Sequence, residues 1–339
     1  MTKQFLVSVI CKTYNHSSYI KDALCGFAMQ RTDFPYVCII VDDASSDGEP
    51  EIIRQYMKDN FDIENNLEGM FEETDDYRLC FASHKTNRNC YFAVFLLKYN
   101  HYGKKKKEPY YERFVKGAKY ISLCEGDDYW INEKKLQRQV DFLNMHQEYT
   151  MCFHNAIEHF EYGNIKDRQF SKIKNGDYSG LDIFKQWTVP TASVVLRTEV
   201  MESDLYKIVV NNKAFIYGDA PLFVTCANFG KVRGMDNVMS VYRRNLNSVT
   251  HQRSYERVKT HAYYNLEFYH VFGETYKSVA VTLFSRAMMV GFIKSIVDKD
   301  SPVRFYFLKE SLSVSYFSTL IAGIWVLGFQ LYRKTKKLL

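Results

Sequence analysis

The sequence predicts an α/β protein built on a doubly wound, mostly parallel sheet and followed by a helical C-terminal region. Three observations carry this. Short apolar runs rich in β-branched residues alternate with amphipathic stretches through the first half of the chain, the pattern of strands buried on both faces and joined by crossover helices. Polar clusters follow these runs directly, as expected where strands end at a ligand-binding edge. From about Gln252 onward the chain reads as helix, rich in Tyr, Phe and Met.

The elements follow in order. "FLVSVIC" (Phe5–Cys11) is a buried strand, and "KTYN" follows it. "HSSYIKDALCGFAMQ" places Ile20, Leu24, Phe27 and Ala28 on one helical face, with Ser17 or Ser18 as N-cap. "VCIIV" (Val37–Val41) is the second buried strand, ending in "DDASSDG". Asp47 and Pro50 then open a helix that carries Ile52, Ile53, Tyr56 and Met57. "YRLCFA" (Tyr77–Ala82) and "YISLC" (Tyr120–Cys124) complete the core strands, the latter running into "EGDD". Residues 150–250 mix strand-like stretches, such as "TASVVLR" (Thr191–Arg197), with helical ones. No internal repeat or Gly/Ser-rich linker interrupts them.

Composition bounds the function. The chain has 339 residues, 46% hydrophobic and 16% aromatic, enough for one large domain or two modest ones. A net charge of +6 is too mild to call for nucleic acid. None of the eight cysteines forms a CxxC pair, and Cys11, Cys38 and Cys124 sit in apolar runs, so reduced, buried thiols are expected. The apolar run at the N-terminus is too short for a signal peptide, which points to a cytoplasmic catalytic body.

The chemistry gathers at the strand ends. Glu125, Asp127 and Asp128 repel one another unless something positive lies between them, and a divalent cation removes the conflict. Hard oxygen ligands favour Mg2+ or Mn2+, which also bind phosphate oxygens. "EGDD" therefore reads either as a metal-bridged diphosphate site or as an acidic turn capping the helix "INEKKLQRQVDFL". In "VDDASSDG", Asp42 or Asp43 is placed to accept a base N–H or a ribose hydroxyl, or simply to form an Asx-turn and helix cap. A Rossmann dinucleotide site is disfavoured, since no GxGxxG follows the first strand, and no GxxxxGK[ST] phosphate loop occurs anywhere.

"VSVICKTYNHSSYIKDAL", "VCIIVDDASSDG" and "GAKYISLCEGDDYWINEKKLQRQVDFL", in this order, resemble the family 2 glycosyltransferases of the GT-A fold, most closely those that build bacterial capsule, O-antigen or other surface polysaccharide. The resemblance spans residues 5 to about 250. It implies inverting transfer from a nucleotide-diphosphate sugar, UDP-linked, to an acceptor hydroxyl. Thr13, Tyr14 and Asn15 would flank the nucleotide, with Asp42 beside them and Asp43 reading the base. Asp127 and Asp128 match the family's DxD-type motif, which contacts the ribose and the metal on the diphosphate, with Glu125 at the usual first aspartate. Arg88 would contact phosphates or base, although the insertion "YNHYGKKKKEPYYERF" departs from the family pattern there. On the acceptor side the resemblance points to Trp130, Thr191 and Ser193. In "YRRNLNSVTH", Arg243, Arg244 and Ser248 would close over the diphosphate. Asp219, in "FIYGDAPLFVTCANFGKV", is the candidate base and equally a candidate helix cap.

The expected organisation is a glycosyltransferase domain over residues 1–250, a helical region over 251–315 and a membrane-associating tail over 316–339. That tail begins with an uncharged run, Tyr316–Tyr332, and continues with "RKTKKLL". It suits insertion at a membrane interface, its cations meeting anionic lipid on the inner face of the cell membrane, or else a buried helix. Lys104–Lys107 reads as a solvated loop or as a second contact for lipid phosphates. The competing functions are a nucleotidyltransferase, whose Gly-rich phosphate loop is missing, and a non-catalytic sugar-nucleotide-binding protein.

Overall fold

The structure is a computed structural model that describes residues 4–63, 70–245, 254–298 and 304–336. Its elements run β1 (Val7–Thr13), α1 (Ile20–Ala28), β2 (Tyr36–Asp42), α2 (Glu49–Asn60), β3 (Met70–Glu73), β4 (Tyr77–Ser83), β5 (Cys90–Leu97), α3 (Glu108–Val115), β6 (Tyr120–Leu123), β7 (Tyr129–Trp130) and α4 (Lys135–Met145). They continue with β8 (Tyr149–Phe160), β9 (Arg168–Gln169), β10 (Gly176–Asp177), α5 (Gly180–Lys185), β11 (Val195–Arg197), α6 (Glu199–Glu202), α7 (Asp204–Asn211), α8 (Asp219–Phe229) and β12 (Lys231–Arg244). Four helices close the chain: α9 (Tyr255–Phe272), α10 (Lys277–Val297), α11 (Arg304–Val314) and α12 (Tyr316–Lys336).

Among the described residues the strands form one mixed sheet in the order β10-β12-β8-β11-β6-β1-β2-β5-β4-β3. Its centre, β6-β1-β2-β5, is parallel throughout, with Thr13 level with Asp42 and Asp42 level with Leu96. The flanks are largely antiparallel, β4 on β5 and β11 between β6 and β8. Every residue of β2 is buried, which is why its sequence is an unbroken apolar run ending in one carboxylate. Val7, Val9 and Cys11 of β1 pack with Cys38 and Ile40 of β2 and with Ile20, Leu24 and Phe27 of α1 in the main core.

Several local expectations are corrected. β5, "CYFAVFLL", is a central strand that the sequence reading passed over, and the loop after it holds the basic run. Neither Ser17 nor Ser18 caps α1; the N–H groups of Tyr19 and Ile20 close that turn on the His16 carbonyl. Only Val195–Arg197 of the expected strand at 191–197 is extended, because Thr191–Ser193 forms a 3-10 turn. All eight cysteines are free thiols, six of them buried.

The chain divides into two compact units, residues 1–203 with 223–246, and residues 204–222 with 247–339. Residues 204–222, expected in the first domain, thus group with the C-terminal helices. Within the second unit Phe215 packs on Phe268, and Asn212 donates to Glu267.

Candidate active site at the carboxyl ends of the parallel strands

Within the first unit, four parallel strands release their loops at one edge. β1 leads to Thr13–His16, β2 to Asp42 and Asp43, β5 to the loop Lys98–Lys107, and β6 to Glu125–Asp128.

Glu49, fully buried at the start of α2, ties the first two loops together. It accepts hydrogen bonds from the Thr13 hydroxyl, the His16 N–H (2.8 Å) and the Ser45 hydroxyl (2.8 Å). Asn15, at a positive φ of 56°, adds a second tie, donating its N–H to Ser45 Oγ and accepting from Ser46 N–H. Asp47 accepts the N–H groups of Ser17 and Glu49. Tyr14 stands clear of this network, 46% exposed. Glu49 was not anticipated. Its signal was a carboxylate just inside a helix after an Asx-type turn, which alone reads as a dipole partner.

The β6 turn packs tightly on β1. A Cβ at Gly126 would lie 2.1 Å from Thr13 Oγ1, so only glycine fits there. Glu125 is exposed, Asp127 partly buried and Asp128 fully buried. Asp127 Oδ2 lies 3.3 Å from Asn245 Nδ2 and 3.8 Å from His16 Nε2. Asp128 Oδ1 accepts the Arg243 N–H at 2.9 Å. Burial first, and then the charge of Asp127, pushes the Asp128 carboxyl well above the usual carboxylate range. Neither aspartate caps α4; Asn132 instead accepts the Lys134 N–H beside its start. Among the described residues no three His, Cys, Asp or Glu side chains converge as a ready-made cage. The partly open Asp127 carboxylate, with its buried neighbour, fits a hard divalent ion that takes most of its ligands from water and phosphate.

Asp42 and Asp43 diverge. Asp42 accepts the Ser45 N–H through Oδ2, while its buried Oδ1 lacks a protein partner. It lines a cavity of about 470 Å³ with Arg54, Arg78 and Lys98. Asp43, only 2% exposed, is closed off by the loop after β5. Lys107 Nζ pairs with it at 2.5 Å, and the His101 N–H donates at 2.7 Å. Lys107 is therefore turned inward, whereas Lys105 pairs with Asp76 at the surface.

Other candidates fall elsewhere. Arg88 lies in the β4–β5 turn, beside the start of β2 and so at the opposite edge from Asp42 and Asp127. A larger cavity, about 650 Å³, opens at that opposite edge between residues 28–33 and Asn87, away from the carboxylates. Trp130 is 1% exposed, donates its indole N–H to the Ala192 carbonyl and meets Phe27 edge-on; it is core, not an acceptor contact. Ser193 is equally buried, its hydroxyl on the Pro190 carbonyl, while Thr191 remains partly exposed. Arg243 is engaged with Asp22 and Glu161 and stacked between Tyr19 and Tyr129. Arg244 pairs with buried Glu158 and covers Tyr242. Both arginines thus brace the site in this structure instead of lying open to a diphosphate. Asp219 stands in the second unit as the first residue of α8, its Oδ1 accepting the Ala220 N–H. Ser248 lies outside the described residues.

Comparison with known proteins agrees with this arrangement. Residues 8–66, from β1 through α2, match the family described as glycosyl transferase family 2. Uncharacterized proteins of Mycobacterium bovis (Mb1547) and Mycobacterium tuberculosis (Rv1520) are 30% identical over 254 residues, 75% of this chain. The match spans 63% of those relatives' length. Among solved structures, S. aureus TarS 1–349 in complex with UDP-GlcNAc superposes with a TM-score of 0.57 at 16% identity, over 91% of this chain and 81% of that one. A mannosyltransferase from Pyrobaculum calidifontis, PcManGT, in complex with GDP-Man and Mn2+ gives 0.51 at 12% identity, over 96% and 88%. The first two strand–helix units of the chain are thus similar to glycosyl transferase family 2, and its fold is that of the TarS and PcManGT structures.

Proposed function

We propose that the protein is an inverting glycosyltransferase. It moves a sugar from a nucleotide-diphosphate sugar, UDP-linked, to the hydroxyl of a saccharide or lipid-linked acceptor in cell-surface polysaccharide synthesis. One observation carries the reading: in a chain whose residues 8–66 match the family 2 model, Thr13, Asn15, Asp42 and Asp127 emerge together at one edge of the sheet, where α/β folds bind ligands. The complexes of TarS with UDP-GlcNAc and of the mannosyltransferase with GDP-Man and Mn2+ support this class of donor.

In this reading the β1 and β2 loops, fixed to one another through Glu49 and Asn15, hold the nucleoside. Asp127, with Asp128 behind it, would hold Mn2+ or Mg2+ beside the diphosphate. When bound, that ion neutralises charge on the departing nucleoside diphosphate. The acceptor hydroxyl attacks the anomeric carbon from the face opposite the leaving group, which inverts the configuration. Asp219 takes the hydroxyl proton as the bond forms. It stands in the first turn of a helix, where the dipole favours negative charge. The uncharged run Tyr316–Tyr332 and the cations that follow it support placing the enzyme at the inner face of the cell membrane.

Thermal unfolding with a panel of nucleotide sugars and Mn2+, followed by donor hydrolysis, tests the proposal. One nucleotide-sugar class is expected to stabilise the protein and be consumed. No stabilisation by any of them would overturn it.

A further inference from the structure

The second unit carries an apolar surface that neither the fold nor the proposed reaction uses. α12 has two distinct faces over its described side chains. Thr319, Ala322 and Val326 are at most 4% exposed, and Ala322 and Val326 pack with Met289 of α10. The Thr319 hydroxyl bonds to Ser311 of α11 and the Ser315 carbonyl. On the other side stand Tyr316, Phe317, Leu320, Ile321, Ile324 and Leu327, between 43% and 77% exposed. Their spacing, in steps of one, three and four, puts all six on one face of the helix. No charged residue occurs from Tyr316 to Tyr332.

A soluble surface rarely exposes so continuous an apolar stripe. Charge identifies what covers it. From Ser301 to the end the sequence has six Lys and Arg against one acidic residue, Glu310, and four of the six follow the stripe directly as Arg333, Lys334, Lys336 and Lys337. Apolar side chains for the acyl boundary and cations for lipid phosphates form the composition of an interfacial helix.

We propose that the outer face of α12 docks this protein on an anionic lipid bilayer, with the helix lying in the plane of the interface and not crossing it. With 21 residues, α12 has enough length to span. Its partner decides otherwise. α12 packs on α10, and Arg286 of α10 stacks on Trp325 at 4.9 Å, midway along both helices. Turning α12 across the bilayer would carry that guanidinium into the hydrocarbon, which is costly. Lying flat leaves it at the flank. The segment Glu274–Ile296 is likewise long and apolar enough to span, but it packs against α9, α11 and α12 as the central helix of this bundle. The inference deepens the membrane placement proposed above and does not depend on the sugar chemistry.

The test is flotation of the full-length protein with phosphatidylcholine vesicles, with and without phosphatidylglycerol. The parent and an L320E/I324E variant would be compared, since both positions are exposed and the folding cost is small. Expected are binding that requires phosphatidylglycerol, weakening in salt, release by alkaline carbonate, and a loss of at least about ten-fold in the variant. Matching circular dichroism and unfolding of the two proteins establish that the variant is folded; if it is not, Phe317→Ser takes its place. Three outcomes overturn the proposal. They are equal binding by parent and folded variant, resistance to carbonate, and a parent dimer that the variant dissolves while vesicles bind neither. Donor hydrolysis by the same variant without vesicles reads the catalytic proposal separately.

Discussion

Burial dominates the behaviour of Asp42. With Oδ1 unpartnered, its carboxyl is lifted from 3.8 to about 6. The folded chain therefore retains a proton that the unfolded chain has already lost between these values. The resulting stability is fully present below the unfolded value and is lost as pH rises through about 6. Asp42→Asn, which keeps an oxygen for the Ser45 N–H, is expected to unfold at a higher temperature than the parent near pH 8, by at most about 3 kcal/mol. The gap should shrink toward pH 4, and a gap independent of pH would show that this carboxyl is not linked to folding. Gly126 gives a steric counterpart. Gly126→Ala drives a methyl into Thr13, so a stability loss of about 1–3 kcal/mol is expected in urea unfolding. Donor affinity should fall with it, because the displaced Thr13 is a partner of Glu49. At this scale the sequence shows which carboxylates lie at strand ends, but not which are buried or already paired. Asp42 and Asp43 are adjacent in sequence and both buried, yet Asp43 is ion-paired with Lys107 and Asp42 leaves one oxygen without a protein partner. Trp130 and Ser193 have the side chains of a sugar site and the burial of a core.

Elements were legible where periodicity was strong. β1, β2, β4 and β6 are apolar runs bounded by turn residues, and each lies within two residues of its expected limits. β5 has the same composition, yet it follows a polar turn and precedes a basic run, so its loop drew the attention. That loop determines the state of Asp43. A buried carboxylate stripped of its cation is typically destabilising by about 3–5 kcal/mol, whereas replacing both partners is far milder. Lys107→Met should therefore cost about 3 kcal/mol or more in urea unfolding, and Asp43→Asn with Lys107→Met should recover most of it. Additive effects would mean that the pair is not coupled. If Asp43 does read the donor base, the loop must withdraw Lys107 for it. Lys107→Met would then bind donor at least as tightly as the parent despite being less stable.

At the scale of the whole molecule, the chain divides into two compact units. The donor edge, from Thr13 to Asp128, lies wholly in the first, and Asp219 in the second. The expected domain limit near residue 250 did not anticipate this, because contacts and not local sequence assign residues 204–222 to the C-terminal helices. Loss of donor binding and loss of proton transfer should therefore separate cleanly. Asp127→Ala and Asp128→Ala each remove a carboxyl oxygen that would serve the metal, so Mn2+-dependent binding of a nucleoside diphosphate, followed by calorimetry, should fall steeply in both. Asp219→Asn should bind nucleotide and Mn2+ like the parent while transferring sugar roughly 10²-fold more slowly, the usual effect of losing a general base. The substitution keeps size and the oxygen that accepts the Ala220 N–H, so folding should survive it. What it removes is the capacity to take a proton. A variant that binds donor normally and transfers at the parental rate would reduce Asp219 to a residue of the helix start. The proton acceptor would then be sought in the first unit, where Glu125 is the exposed carboxylate beside the Asp127–Asp128 pair.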